Sequence, residues 1–430
     1  MPDKHRQYWL ILSHCFNMDG RAASQTITDK LPHLLEAGIE PIILSGVSGD
    51  HDKKFRHIQL LPWGPSGLRF DLRHVIARHL GRGYRYKLLV GLMGLLLSPF
   101  IIIERLLLGL QNQWSWSFPA TLRSLWLIHK YKPTVLYTTG GAYSAHLAGD
   151  WIKRLTGIKW IAEIHDPMVK PGTIPHRRDE KMQAYIEGRI CKNANLVWWF
   201  TDGALRGASQ RHPELGDKGI VILPGVAKPA MVGKYQRGEQ MIISHFGSLS
   251  DTRSLRPVVK AIHTLLEQNS AIRSTLRVHI YGGTIDRLAK SDIQKYGLED
   301  VFISFGRLER SEETGMSGRD QVLERMFQAD CLLLVHGTIS DCREYIPSKL
   351  YEYLWTGRPV IALTYQNPQL DQLVKERDGY VARGDQAEEV TGVIERAYTD
   401  WQHNRLPTSS LPAVGVEQAV NRILDEVKRH

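Results

Sequence analysis

The alternation of short apolar runs with segments of helical periodicity is the feature that most constrains the fold of this chain. The segments between the runs place apolar residues three and four positions apart. The runs are residues 8–12, 41–44, 134–137, 159–164, 196–200 and 220–223 in the first half, and 241–246, 276–281, 301–305, 331–335 and 359–363 in the second. Because this order is typical of buried strands that alternate with helices, the sequence predicts parallel sheets in an α/β fold.

The length of the chain and a break in its pattern predict two doubly wound domains. A chain of 430 residues is too long for one ordinary core. Apolar periodicity lapses after Pro224 and Gly225, in a polar stretch that holds Pro229 and Gly238 and is typical of a domain boundary. The predicted parts are an N-terminal domain over 1–225, a linker over 226–240, a C-terminal domain over 241–400 and a closing helix within 401–430, whose packing partner the pattern leaves open.

The cysteines and the net charge narrow the class of protein. Cys15, Cys191, Cys331 and Cys342 are far apart and form no CxxC pair, which argues against a disulfide framework and a zinc ribbon and fits a reducing compartment. The net charge of +10 suits an anionic partner: nucleic acid, a phospholipid surface or a phosphorylated small molecule. The location of the charge decides among them.

Residues 88–110 form an apolar segment of 23 residues with two charges, Glu104 and Arg105. This length could span a bilayer. A single crossing would place strands of one sheet on opposite sides of the membrane. Pro99, preceded by Ser98 as an N-cap, instead predicts two short helices, a hairpin that enters one leaflet and returns.

The flanks of this segment favour a membrane surface. Between positions 67 and 87 the chain has six basic residues and one acidic residue, Asp71. Trp114, Trp116 and Phe118 follow the apolar segment. The basic residues are Arg69, Arg73, Arg78, Arg82, Arg85 and Lys87. Polybasic stretches bind anionic leaflets and Trp favours the membrane interface, so we expect 67–118 to be a membrane-associating insertion, peripheral or monotopic.

Two alternatives to membrane binding concern the same segment. A helical hairpin buried in the core or in a dimer interface, beside a solvated basic helix, would have the same composition. Nucleic acid is not an expected partner, because no basic and aromatic pattern recurs along the strands of either domain.

The stretch 341–363 carries the most specific pattern. Glu344 and Glu352 have seven residues between them, and a helix begins at Pro347 or Ser348 and ends before Gly357. A helix N-terminus offers free amides to a phosphate, and Lys349 in its first turn adds a positive charge.

This stretch resembles the retaining family 4 glycosyltransferases of the GT-B fold. Their C-terminal domain carries a Glu-x7-Glu pair and then a Glu-Tyr, Gly-Lys/Arg-Pro-Val-Ile run, matched here by Glu344, Glu352, Tyr353 and 357–361. The resemblance implies two Rossmann-like domains that face a central cleft. It implies that Glu352 binds the nucleotide ribose, that Glu344 lies near the transferred sugar, and that Ser348, Lys349 and Leu350 bind the nucleotide.

A second match covers residues 243–257, a predicted strand, glycine turn and helix. The family places a Gly-Arg pair and a further basic residue here, and this chain has Gly247 and Ser248. A departing diphosphate builds negative charge, which a cation must stabilise when no metal does so. Arg253 is the first candidate for that cation and Arg256 the second, although Arg253 could also be a solvated loop residue. Residues Gly306 and Arg307 resemble the family segment that reads the nucleotide base.

Three positions of the N-terminal domain are weaker candidates. His165 and Asp166 follow the predicted strand 159–164, at the strand end where α/β proteins bind ligands. The family has a His or an Asp there, in contact with the donor sugar. Gly20 lies where the family has its glycine-rich loop.

The resemblance implies a retaining, metal-independent glycosyltransferase without a cofactor. A UDP-sugar is the first candidate for the donor, and a GDP-sugar is the second. Together with the predicted insertion it implies a lipid-linked or membrane-surface acceptor, at the cytoplasmic face of the inner (plasma) membrane, in polysaccharide, lipopolysaccharide or glycolipid synthesis. The alternatives are a GT-B epimerase or hydrolase of soluble nucleotide sugars and a non-catalytic membrane scaffold. Residues 50–52, which have the form Asp-x-Asp, are interpreted as a solvated loop and not as a metal site.

Overall fold

The structure is a computed structural model that describes residues 7–18, 22–81, 83–229, 233–308, 313, 315–409 and 411–430. The chain divides into two compact units. Unit 1 comprises Met1–Gly225 and Val416–His430, and unit 2 comprises Val226–Gly415.

Within its described residues, unit 1 is built on a sheet of seven parallel strands in the order β3-β2-β1-β4-β5-β6-β7. The strands are β1 (Gln7–Leu12), β2 (Ile39–Ser45), β3 (Arg56–Gln59), β4 (Val135–Thr139), β5 (Lys159–Ile164), β6 (Leu196–Trp199) and β7 (Gly219–Val221). The helices up to Gly225 are α1 (Ala22–Thr28), α2 (Leu31–Glu36), α3 (Pro65–Leu80), α4 (Tyr84–Leu107), α5 (Ser117–Tyr131), α6 (Ser144–Thr156), α7 (Arg178–Asn193) and α8 (Asp202–Arg211).

The central strands are apolar on both faces because helices cover both sides of the sheet. Leu10 of β1 and Leu136 of β4 are fully buried and pack with Trp160 of β5. The strand order reverses direction at β1 and β4, and in open α/β sheets ligands bind at the carboxyl ends of strands beside such a reversal.

The predicted break at Pro99 is wrong, because residues 84–107 form the single helix α4. Pro99 lacks the backbone N–H that would bond the Leu95 carbonyl, but the helix continues through it. The Ser98 hydroxyl donates to the Gly94 carbonyl at 2.5 Å on the preceding turn. A helical hairpin does exist, but it consists of α3 and α4, and the two helices are connected between Leu80 and Tyr84.

Helix α4 is exposed along most of its length. Among the described helices it is the one that is long and apolar enough to cross a membrane by length and composition, and only 11% of its most apolar window is buried. Leu95 and Leu106 are 73% and 71% exposed. The alternative that this segment is buried in the core of its own chain is therefore wrong.

Two contacts anchor α4 to the rest of unit 1. Glu104 accepts hydrogen bonds from the Ser66 backbone N–H at 2.9 Å and from Trp114 Nε1 at 2.7 Å. Arg178 of α7 donates to the carbonyls of Leu106 and Leu107, the last two residues of α4. The carboxyl end of α4 is thus fixed to the body of the unit, while its apolar face is exposed.

The expectation that Trp116 belongs to an interfacial belt is wrong. A 3-10 helix over Trp114–Trp116 turns this side chain into the core, where it is fully buried and its Nε1 donates to the Ser45 carbonyl at 3.3 Å. Of the aromatic side chains on or near α4, Trp63, Tyr84 and Phe100 are the strongly exposed ones among the described residues.

In the part that the structure describes, unit 2 has a sheet of six parallel strands in the order β10-β9-β8-β11-β12-β13. The strands are β8 (Met241–Gly247), β9 (Leu276–Gly282), β10 (Phe302–Gly306), β11 (Cys331–Val335), β12 (Val360–Thr364) and β13 (Tyr380–Arg383). The helices are α9 (Arg256–Gln268), α10 (Ile272–Thr275), α11 (Arg287–Tyr296), α12 (Gly318–Gln328), α13 (Lys349–Leu354), α14 (Pro368–Lys375) and α15 (Ala387–Gln402).

The last helix, α16 (Val416–Arg429), belongs to unit 1. Its apolar stripe includes Val420 and Ile423, which are buried, and the Val427 carbonyl accepts a hydrogen bond from Lys159 of β5 at 3.2 Å. The chain therefore leaves unit 1 after Gly225 and returns to it after Gly415.

Candidate functional site

The carboxyl end of β8 in unit 2 is a glycine turn covered by Lys349. Gly247 has φ +124°, and a Cβ atom there would lie 2.9 Å from Cε of Lys349. The Gly247 carbonyl accepts from the Gly283 backbone N–H at 3.2 Å, which fixes the turn against the end of β9. The positive φ, which L side chains rarely adopt, favours glycine at this turn.

Arg253 lies in the loop between β8 and α9 and brings a second cation to the same end of the sheet. The loop is closed by hydrogen bonds between the backbones of Ser250 and Arg253, at 2.9 and 3.2 Å. The Arg253 guanidinium is near the Tyr345 hydroxyl and acts to lower its pKa, and the charges of Arg253 and Lys349 act on the buried ring of His245. Ser248 is exposed beside the turn. A guanidinium and an ammonium here could stabilise a departing diphosphate.

Two buried histidines lie close to these cations and are neutral near pH 7. Burial, with the charges of Lys349 and Arg253, lowers the pKa of His245 to about 4, and burial with Arg253 lowers that of His336 to about 4. His245 Nδ1 donates to the Leu333 carbonyl at 3.0 Å, and His336 Nε2 donates to the Tyr345 carbonyl at 3.0 Å. Neither ring therefore adds positive charge to the anion site.

Glu344 ends a 3-10 helix over Ser340–Glu344, where the sequence predicts a loop. Its side chain is largely buried, at 8% exposure for the residue. The sequence analysis missed the residue that fixes this turn, Asn367, whose side-chain amide donates to the carbonyls of Cys342 and Tyr345 at 2.9 and 2.8 Å. The Asn-Pro pair before α14 is a helix-start signal, but no local signal points to this distant contact.

Glu352 lies on α13, within reach of Lys349. Its Oε2 atom is 3.8 Å from Lys349 Nζ, and both side chains are partly exposed. Ser348 precedes the helix without capping it through its side chain, and Leu350 is buried beneath it. Because α13 has six residues, its dipole is small, and the two cations supply most of the positive charge at this end of the sheet.

A buried tyrosine links α13 to β8 and was not predicted as a site residue. The Tyr353 hydroxyl accepts from the Phe246 backbone N–H at 3.1 Å and donates to the Leu333 carbonyl at 3.4 Å. It therefore fixes the helix that carries Lys349 and Glu352 against the strand end that carries Gly247.

The remaining candidates of unit 2 lie further from this centre. Arg256, at the start of α9, forms an ion pair with Asp292 of α11 at 2.7 Å. Gly306 has φ +66° at the end of β10, and Arg307 after it is exposed. The half-exposed ring of Phe305 stacks on Tyr281 at a centroid distance of 4.8 Å, which offers an aromatic surface beside Gly306.

In unit 1, His165 and Asp166 lie at the carboxyl end of β5, as expected from the strand 159–164. They line a pocket that is open to solvent. The pocket is lined by residues of the α4–α5 connection, the Gly140-Gly141 turn, α6, the segment after β5 and α7, among them Gln111, Tyr143, His146, His165, Asp166 and Gln183. Gly20 lies outside the described residues.

The Asp-x-Asp segment does not form a metal centre with other side chains. Asp50 forms an ion pair with Arg78 of α3 at 2.6 Å, and His51 stacks on His57. Among the described residues, no group of three or more His, Cys, Asp or Glu side chains is arranged to hold a metal ion.

Comparisons by sequence identify no relative. No protein-family model matches the chain, and a search of curated proteins finds no match. Comparison with solved structures, in contrast, finds the same fold over nearly the whole chain at low sequence identity.

Three solved structures illustrate the similarity. A mutant of S. aureus TarM, in a complex that includes UDP, is 10% identical, with 98% of this chain and 97% of TarM covered and a TM-score of 0.56. The lipopolysaccharide outer core galactosyltransferase WaaB is 12% identical, with 98% and 100% covered and a TM-score of 0.54. A Listeria monocytogenes protein assigned as a UDP-N-acetylglucosamine 2-epimerase is 10% identical, with 99% and 96% covered and a TM-score of 0.53.

At such identities the similarity establishes architecture and not activity, since one fold supports several chemistries. The two parallel-sheet units and these structural neighbours identify the chain as a protein of the GT-B fold.

Proposed function

We propose that the chain is a retaining, metal-independent glycosyltransferase. It transfers a sugar from a nucleotide-sugar donor to a lipid-linked or membrane-surface acceptor. A UDP-sugar is the first candidate for the donor, and a GDP-sugar is the second. The observation that carries this proposal is the grouping of Lys349 and Arg253 with Glu352 and Glu344 at the carboxyl end of the unit 2 sheet. The retaining stereochemistry rests on the resemblance of residues 341–363 to family 4.

Each group has a role in this reaction. Lys349 and Arg253 bind the diphosphate and stabilise the negative charge that grows as it leaves. Glu352 accepts hydrogen bonds from the ribose hydroxyls, and Glu344, held by the Asn367 contacts, lies near the sugar that is transferred. The exposed part of the Phe305 ring stacks on the base, beside the backbone of Gly306.

The acceptor class follows from unit 1. The exposed apolar face of α4 and the exposed basic residues Arg69, Arg85 and Lys87 suit an anionic bilayer. Gln111, which lines the pocket beside His165, follows α4 by four residues. A membrane-bound α4 would thus hold the pocket close to the lipid surface. We infer that the acceptor is anchored in the cytoplasmic face of the inner membrane.

The structural neighbours agree with this proposal. TarM was crystallised with UDP, and WaaB is a galactosyltransferase of the lipopolysaccharide outer core. A role in polysaccharide, lipopolysaccharide or glycolipid synthesis is the corresponding proposal for this chain.

Calorimetric titration with UDP, GDP, dTDP and ADP tests the donor site. We expect one nucleotide to bind, and Glu352→Ala to weaken that binding at least about tenfold through loss of charge-assisted hydrogen bonds of roughly 1.5–3 kcal/mol. Glu388→Ala, at an exposed position of α15, is the matched control. Absence of binding by all four nucleotides would contradict the proposal and favour the membrane scaffold.

The similarity to the Listeria protein favours one second candidate, a nucleotide-sugar epimerase. It predicts turnover of UDP-N-acetylglucosamine without an acceptor. Incubation in D2O followed by NMR of the sugar distinguishes the two: a glycosyltransferase leaves the C2 proton in place, whereas an epimerase that acts through deprotonation exchanges it.

A further inference from the structure

The reaction proposed above assigns no role to one buried ion pair of unit 1. Lys30, between α1 and α2, and Glu163 of β5 have side chains that are 1% and 0% exposed, and Lys30 Nζ is 2.7 Å from Glu163 Oε1. The Tyr137 hydroxyl donates to the other carboxylate oxygen. Since removal of two charges from water opposes the gain from their attraction, such a pair is a poor device for stability alone.

The pair contacts one catalytic candidate, His165. The Nε2 atom of His165 is 3.3 Å from Glu163 Oε1 and 3.0 Å from the Thr139 hydroxyl, and the Phe200 ring lies at a centroid distance of 4.9 Å. Nε2 is therefore the nitrogen that faces the protein, and the ring is among the residues that line the pocket.

The charges around the ring are nearly balanced. Although burial acts to raise it, Lys30 and His165 hold the pKa of Glu163 below its usual range, so that carboxylate is ionised. Its negative charge is offset by Lys30. Of the other groups, His146 of α6 is neutral, because burial and His165 lower its pKa to about 3, while Asp166 lies next to His165 in the chain.

The chemistry of the pocket suits a neutral, hydroxyl-rich group. Its polar side chains are amides, a carboxylate, a phenol and imidazoles, with no Lys or Arg among the described lining residues. His146 is 1% exposed, and its Nε2 atom has no hydrogen-bond partner among the described residues. A sugar ring supplies hydroxyls for such groups, whereas a phosphate would require a cation.

We propose that Lys30 and Glu163 are positioning residues that fix the tautomer of His165, so that its Nδ1 accepts a hydrogen bond from a sugar hydroxyl in this pocket. An ionised Glu163 keeps the proton of the neutral ring on Nε2. Nδ1 is then an acceptor. The identity of the ligand as a sugar rests on the proposed function; the tautomer of His165 does not.

The two members of the pair act on the tautomer of His165 in the same direction. Glu163→Gln replaces the carboxylate at Nε2 with an amide, whose NH2 group can donate to Nε2, so we expect the proton of the neutral ring to move toward Nδ1. Lys30→Met removes the ammonium that helps to keep the buried Glu163 ionised, and a protonated Glu163 can likewise donate to Nε2.

Long-range 1H–15N NMR of the neutral histidine rings in the full chain identifies the tautomer, and His165→Gln assigns the signals. We expect the wild-type ring to carry its proton on Nε2, and the share of the tautomer that is protonated on Nδ1 to rise in both single variants. Lys153→Met, which removes an ammonium bonded to Asn195 elsewhere in unit 1, controls for the loss of positive charge and should leave the tautomer unchanged. A wild-type proton on Nδ1, or an unchanged tautomer in Glu163→Gln, would overturn the proposal.

Activity provides a separate readout. We expect Glu163→Gln to lower kcat/KM and Glu163→Asp, which keeps a carboxylate, to restore part of it, a rescue that a merely structural defect would not show. If the tautomer changes as expected and no sugar is transferred, the positioning inference stands and the proposed function fails. If sugar is transferred and the tautomer does not change, the inference fails alone.

Discussion

At the scale of single residues, the two arginines near α9 differ in what they can do. Arg253 reaches Tyr345 and acts on the buried His245, whereas Arg256 is held by Asp292 at 2.7 Å. We expect Arg253→Ala to weaken binding of the nucleoside diphosphate at least about tenfold, because a hydrogen bond to a charged group contributes roughly 1.5–3 kcal/mol. Arg256→Ala is the matched control and should bind within about twofold of the wild type. Calorimetry that gave the reverse order would show that the cations are assigned wrongly.

The sequence indicates candidate residues that belong to a local pattern. It does not indicate residues whose contacts lie far apart in the chain. The Glu-x7-Glu spacing and the glycine turns point to Glu344, Glu352 and Gly247 without a structure. The contacts of Asn367 with the turn at Cys342, and of Lys30 with Glu163, join positions 25 and 133 residues apart. No periodicity or spacing encodes such contacts, because the fold alone brings them together.

At the scale of elements, the Glu104 side chain links α4 to α3 by a hydrogen bond. It bonds the Ser66 N–H in the first turn of α3 and Trp114 Nε1. We expect Glu104→Ala to lower the free energy of unfolding of unit 1 by about 1–3 kcal/mol, because buried donors lose their partner. Urea unfolding followed by tryptophan fluorescence measures it. Arg105→Ala, at the exposed neighbouring position, should change it by less than about 0.5 kcal/mol; equal effects would contradict this role.

The apolar face of α4 makes a second prediction at this scale. Leu95→Glu/Leu106→Glu should reduce flotation of the protein with anionic vesicles at least about tenfold, because burial of each leucine contributes roughly 1.5–3 kcal/mol. Leu155→Glu, at a similarly exposed leucine of α6, is the matched control. Unchanged flotation of the double variant, together with self-association of the wild type in solution, would identify α4 as a dimer interface instead.

The elements also show where sequence patterns fail. The buried strands were predicted to within about two residues, but β3 and β13 were missed. Both are four-residue edge strands that contain charged residues, so they lack the apolar run of a buried strand. The break at Pro99 was predicted from the preference of proline for the first turn of a helix, whereas α4 continues through this residue.

At the scale of the whole molecule, buried histidines make stability depend on pH. The pKa values of His245 and His336 in unit 2 are about 4 in the folded state against about 6.5 in the unfolded chain. The unfolded chain therefore binds protons first as pH falls, and stability is lost between about pH 6.5 and 4. At pH 5 the loss is roughly 2 kcal/mol for each ring.

Urea unfolding of the wild type at pH 7 and pH 5 measures this loss. His245→Gln removes one titrating ring, so we expect its stability to fall less between the two pH values than that of the wild type. A variant with the same pH dependence as the wild type would show that His245 does not titrate as described.

The two-unit architecture follows from the strand pattern, but the path of the chain does not. The sequence does not identify the domain on which the closing helix packs. Its apolar stripe predicts that the helix packs against the protein, but it does not indicate which surface it contacts. The structure places α16 in unit 1, so both connections between the units lie at residues 225 and 415.

Transfer of a radiolabelled sugar from a nucleotide sugar into the lipid fraction of membranes from the source cells tests the central proposal most directly. We expect one labelled donor to be incorporated by the wild type, with a large loss in Glu344→Gln and Arg253→Ala, and a product with the anomeric configuration of the donor. Hydrolysis or epimerisation of the donor without incorporation into lipid, unaffected by these two substitutions, would contradict it.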